Sequence, residues 1–134
     1  MNQQDDPVET ISRFLRLVEA RRLEEASEFL ARDVQITFPG GRQFGSLEEQ
    51  VASGAGRFRR VRKVFERFDA LETDDASVVY VYGTLEGLDA SGVAFSGVRF
   101  IDRFELQGGA IVDQRVWNDM AEMGVVEPHA GQHE

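Results

Sequence analysis

The chain has 134 residues, no cysteine, and 24 acidic against 15 basic side chains, for a net charge of −9. The lack of cysteine excludes disulfides, thiolate nucleophiles, iron–sulfur clusters and Cys-ligated zinc, and the negative balance argues against nucleic acid or an anionic membrane as a partner. The length suits one domain, no apolar run approaches the roughly 20 residues that span a bilayer, and the acidic, polar residues 1–6 do not read as a signal peptide, so a soluble cytoplasmic protein is expected.

The first third reads as helices. Pro7 suits a first helical turn, where its missing N–H costs nothing. Val8, Ile11, Phe14, Leu15 and Val18 follow at helical spacing, with Leu17 beside them. Arg21-Arg22 marks a turn, and Leu23, Ala26, Phe29 and Leu30 predict a second short helix. The period then changes to two. Val34, Ile36 and Phe38 alternate with Gln35 and Thr37 as in a strand, which Pro39-Gly40-Gly41 ends. Ser46 followed by Glu49 is a capping box, predicting a third helix to about residue 55.

A strand meander is expected from there on, over residues 64–71, 78–85, 95–106 and 111–117. Glu72-Thr73-Asp74-Asp75 and Asp89-Ala90-Ser91-Gly92 supply turns, and Gly108-Gly109 a tight hairpin. Residues 1–123 read as one domain and residues 124–134 as a flexible tail. Helices first and a long antiparallel sheet after them make an α+β chain. The inward face of residues 64–71 is left open, because Phe65, Glu66, Arg67 and Phe68 break simple alternation.

Parity on the predicted strand over residues 95–106 singles out one residue. Val98, Phe100, Asp102, Phe104 and Leu106 share a face, which is apolar but for Asp102. A carboxylate there must be paired, hydrogen-bonded or protonated, and burial lifts its pKa toward the range useful for acid–base catalysis. Asp102 is therefore the first catalytic candidate. The alternative is a structural Asp that orients a buried Tyr or Arg. Tyr82, with Tyr80 and Thr84 on its face, is a second candidate, as a hydroxyl donor to a ligand carbonyl; the alternative is a core tyrosine.

The opposite parity places Arg99, Ile101 and Arg103 with Asp113, Arg115 and Trp117 on one sheet surface. That surface suits a homodimer interface, or else a solvated face of cross-strand pairs. Fourteen of the basic residues are Arg and one, Lys63, is Lys; Arg57, Arg59, Arg60, Arg62 and Lys63 form a basic run that could meet an acidic partner or a phosphate, but is read first as a solvated connection between helix and strand. His129 and His133 are four apart, but Pro128 and Gly131 oppose a helix there, so they are read as tail decoration rather than a metal site. Gly40-Gly41 and Gly54-Ala55-Gly56 lack the Gly-Lys-Ser/Thr sequel of a phosphate loop.

Several short segments together resemble the nuclear-transport-factor-2-like superfamily, in its SnoaL-like and ketosteroid isomerase-like branch, over roughly residues 8–120. They are Leu23-Glu24-Glu25-Ala26 through Asp33-Val34, Phe38-Pro39-Gly40-Gly41 with Gly45, Phe95-Ser96-Gly97, Asp102-Arg103-Phe104, and Gly109-Ala110-Ile111 through Trp117-Asn118-Asp119. The resemblance implies a cone: a curved antiparallel sheet closed by helices around a pocket, often dimeric. It does not fix the activity. The base Asp of ketosteroid isomerases corresponds to Phe38, and their first-helix Tyr to Phe14. The catalytic Asp of SnoaL-type cyclases corresponds to Val116. The Arg and Asp of the epoxide hydrolases fall near Tyr82 and Thr84. Asp102 fits the Asp of the dehydratase-like members, but their His has no counterpart.

The aligned positions imply an apolar pocket lined by Phe14, Ile36, Phe38, Val98, Phe100, Phe104 and Val116, with Tyr82, Thr84, Asp102, Gln114 and Asn118 as its polar groups. Two readings follow. One is a cyclase-, isomerase- or dehydratase-type enzyme, needing no metal or organic cofactor, on a hydrophobic cyclic or polyketide-like substrate. The other is a non-catalytic ligand-binding or dimerisation module.

Overall fold

The computed structural model describes residues 6–127. Helix α1 (Pro7–Glu19) starts where the sequence predicts: the Asp6 carboxylate accepts from the Val8 N–H at 3.0 Å, and Pro7 occupies the first turn. Its apolar stripe buries Ile11, Phe14 and Leu15, each side chain contributing about 1.5–3 kcal/mol. Helix α2 (Leu23–Ser27) is shorter than predicted, because Leu30 already belongs to strand β1 (Leu30–Phe38). The pull is tertiary: the Phe29 carbonyl accepts the Ile111 N–H at 2.8 Å, which draws the chain into the sheet.

After a turn at Pro39–Gly41, a three-residue strand β2 (Arg42–Phe44) folds back on β1. It is too short to show a period, so the sequence does not reveal it. Helix α3 (Leu47–Ser53) is held by the predicted box. The Ser46 hydroxyl accepts from the Glu49 N–H, and the Glu49 carboxylate from the Gly45 N–H, both at 3.1 Å.

Four long strands follow: β3 (Phe58–Glu72), β4 (Ser77–Asp89), β5 (Ala94–Gln107) and β6 (Ala110–Asn118). The six strands form one curved, unclosed sheet in the order β2-β1-β6-β5-β4-β3. The expected antiparallel sheet is in fact mixed, since β1 and β6 run parallel. About half of the chain lies between them, so no hairpin dictates their direction.

Strand β3 starts earlier than predicted and takes in most of the basic run, which is thus edge strand rather than connection. Exposed Arg59, Arg60 and Arg62 there discourage edge-to-edge pairing. A bulge between Phe65 and Arg67 resolves the broken alternation: with Glu66 as the extra residue, both Phe65 and Phe68 lie opposite inward-facing residues, Gly83 and Val81. Gly83 answers that bulge, because a Cβ at this position would run into the Val64 carbonyl.

The helices cover the inward face of the sheet, where Val79, Val81, Val98, Phe104 and Ile111 are fully buried with Ile11 and Ile36. The expected flexible tail does not begin at residue 124. Val125 and Val126 pack against the core, and the Val125 N–H donates to the Met120 carbonyl at 2.8 Å. His129 and His133 lie outside the described residues.

Candidate functional site

Asp102 faces inward from the middle of β5, fully buried, opposite Val81 on β4 and Val116 on β6. Its partner is Lys63, whose Nζ lies 2.7 Å from Oδ2. The other carboxylate oxygen, Oδ1, is buried without a hydrogen-bond partner among the described residues. Burial pushes the Asp102 carboxyl above its ordinary range, and Lys63 pulls against that shift.

Lys63 is placed by β3 and α1 together. Its backbone N–H donates to Glu19 at 2.7 Å, and its carbonyl accepts from Arg16 at 3.1 Å. Arg16 in turn pairs with Glu19 and lies 4.0 Å over the Phe65 ring. The Lys63 ammonium also sits 5.1 Å from the centre of the Phe100 ring, so a carboxylate and an aromatic face share the cation. Strand β3 points Lys63 inward opposite Leu85, which the sequence period alone could not establish across two bulges. Its being the chain's single lysine was the available clue.

The remaining expected pocket residues divide into three groups. Phe14, Ile36, Val98, Phe100, Phe104, Gln114 and Val116 all face inward and are buried; Phe14, Ile36, Val98, Phe100 and Phe104 belong to the packed core, and Val116 also borders a cleft beside the turn after β1. Phe14, for example, packs edge-on to Phe104 with ring centres 5.9 Å apart. Tyr82 and Thr84 are on the wrong face. Tyr82 pairs with exposed Ile101, and its hydroxyl donates to Asp69 at 2.7 Å, outside the cone. That bond and Arg67 hold the Asp69 carboxyl below its usual range, while the Tyr82 hydroxyl is raised. Strand parity explains the separation, since Asp102 shares the parity of Val81 and not of Tyr82.

Phe38 and Asn118 form the third group, because they do line a cavity. It lies at the mouth of the cone, measures about 180 Å³, and is walled by the turn after β1, by Gln50, Ser53 and Gly54 of α3 and its end, and by Arg57 and Phe58. Met120, Ala121 and Val126 close it from the C-terminal side, and Arg42 of β2 enters it. Asn118 lies two residues along β6 from Val116, the residue opposite Asp102. Phe100–Asn118 and Asp102–Val116 are successive inward-facing pairs of β5 and β6, about 7 Å apart along the strands.

No family model and no curated protein matches the sequence. Solved structures do match in fold. A nuclear-transport-factor-2-like protein of unknown function from Burkholderia pseudomallei superposes with a TM-score of 0.76 at 20% identity, covering 93% of this chain and 100% of its own. TerC, co-crystallised with polyporic acid, gives 0.75 at 18% identity over 90% and 96%. A putative SnoaL-like polyketide cyclase from a Jannaschia species gives 0.66 at 20% identity over 96% and 100%. The chain therefore has the nuclear-transport-factor-2-like fold.

Proposed function

We propose that the protein binds a compact, mostly apolar small molecule in the cavity at the mouth of the cone. The cavity itself carries this reading: it is roofed by residues from five elements and apolar on most of its wall, with Asn118, Ser53, Gln50, Arg42 and Arg57 as its polar groups. At about 180 Å³ it is smaller than the roughly 300–1,000 Å³ of drug-sized sites, so a single-ring molecule is the appropriate size. The co-crystallised TerC supports the reading as a protein of the same fold obtained together with a small organic molecule. Replacing Ala121 by Trp, at an exposed wall position, should fill the cavity. A screen of single-ring carbonyl compounds and acids by thermal shift should then give hits with the wild type that vanish in Ala121→Trp. Hits that persist in the variant would place binding elsewhere.

A second reading is favoured by the unpartnered oxygen of Asp102 together with its raised pKa. In it, Asp102 moves a proton on a hydrophobic cyclic or polyketide-like substrate and Lys63 steadies the charge, the cavity giving entry past Asn118. Tyr82 has no part in this reading. It requires that Asp102→Asn lose turnover while ligand binding in the cavity stays; retained turnover refutes it.

A further inference from the structure

Arg42 and Arg57 both line the mouth cavity, and no Asp or Glu does so among the described residues. That is a local inversion in a chain whose net charge is −9. The Nε of Arg42 is buried and has no hydrogen-bond partner among the described residues, although a guanidinium N–H is a strong donor. The guanidinium is braced from one side by the Phe44 ring, 5.8 Å from its centre, and Phe44 packs edge-on to Phe38. Among the described residues the Arg57 side chain makes one bond, from its Nη2 to the Glu127 carbonyl at 2.7 Å, which neutralises no charge.

We propose that this cavity takes a small carboxylic acid, with its carboxylate received by Arg42 and Arg57 and its ring against Phe38, Phe58 and Met120. The proposal rests on the small-molecule reading of the same cavity and adds the charge of the ligand. A planar carboxylate fits the forked donors of arginine better than a single-point acceptor does. Burial, and next the charge of Arg57, hold the Arg42 pKa below its ordinary value, a strain that a bound anion relieves. The apolar wall explains why the ligand needs a ring as well as a charge: inorganic anions would leave Phe38, Phe58 and Met120 uncovered.

The test compares benzoate with benzamide, which has nearly the same shape without the charge, and with acetate, by calorimetry at low and moderate salt. Benzoate should bind about ten- to a hundredfold more tightly than benzamide. Arg42→Gln should remove that preference, and Arg57→Gln should reduce it, with both variants keeping the wild-type circular dichroism. If Arg42→Gln fails to fold, the benzoate–benzamide ratio and its fall with salt on the wild type decide alone. Equal binding of benzoate and benzamide overturns the charge assignment but leaves the small-molecule site intact. Acetate binding as tightly as benzoate overturns the ring contact. Binding of none of the three overturns the site for single-ring acids altogether.

Discussion

Lys63 and Asp102 meet across the interior of the cone, 39 residues apart in sequence and 2.7 Å apart in space. The two ends are unequal. The Asp102 side chain is wholly buried, whereas that of Lys63 keeps 22% of its surface exposed. Removing the lysine strands a buried carboxylate, whereas removing the carboxylate leaves an ammonium that can turn toward water. Lys63→Met should therefore cost about 3–5 kcal/mol, and Asp102→Asn distinctly less. Urea denaturation of both variants measures the order, and the reverse order would deny that Lys63 compensates Asp102.

The same pair sets a pH dependence of unusual sign for an aspartate. Burial raises the folded pKa of Asp102 above its unfolded value. Its contribution is thus fully present below the unfolded pKa, near 4, and is lost as pH rises through the folded value. Relative to Asp102→Asn, the wild type should lose stability as pH climbs from about 4. A difference that grows in the opposite direction would mean that Lys63 outweighs burial.

Gly83 tests the bulge that aims Lys63 and Phe65 inward. Gly83→Ala forces a methyl group against the Val64 carbonyl and should cost more than about 2 kcal/mol. Gly45→Ala meets open space and should stay within about 0.5 kcal/mol. Thermal melts of the two variants provide the comparison.

The cap on α3 matters to the cavity because that helix supplies Gln50 and Ser53 to its wall. Ser46→Ala removes the hydroxyl that accepts the Glu49 N–H and should cost about 1 kcal/mol. It should also weaken any cavity ligand found for the wild type, as calorimetry would show. Unchanged affinity would mean that the wall does not depend on the cap.

On the outer face, Ile101 and Trp117 are direct cross-strand neighbours and both exposed, Trp117 to 51%. Arg99–Asp119 flanks them on one side, and Asp113 pairs with both Arg103 and Arg115 on the other. We propose that a second copy covers this apolar pair. Light scattering should then give a dimer for the wild type and a monomer for Trp117→Arg. A wild type that is monomeric at micromolar concentration overturns the proposal.

Much of this protein was legible in the order of its residues. The helical stripe of α1, the Ser46–Glu49 box, the hairpin glycines and the parity of β5 are local patterns, each settled within a few residues of itself. Parity was enough to place Asp102 on the buried face of β5, because that strand runs without a bulge from Val98 to Glu105. The three-residue strand β2 and the parallel pairing of β1 with β6 were not legible, since one is too short for a period and the other joins segments far apart. Tyr82 was not legible as an outward residue, because alternation within β4 does not say which of its faces meets Asp102; the pairing of β4 with β5 puts Val81 there and Tyr82 opposite Ile101.

The tertiary structure alone decided what Asp102 meets and where a ligand fits. Two bulges shift the period of β3, so only the folded register reveals that Lys63 points inward. The cavity is assembled from β2, the ends of α3 and β6, and residues 120–126, which share no local pattern. Composition determined the net charge of −9, but proximity in space decided that two arginines would face one cavity that no acid lines among the described residues.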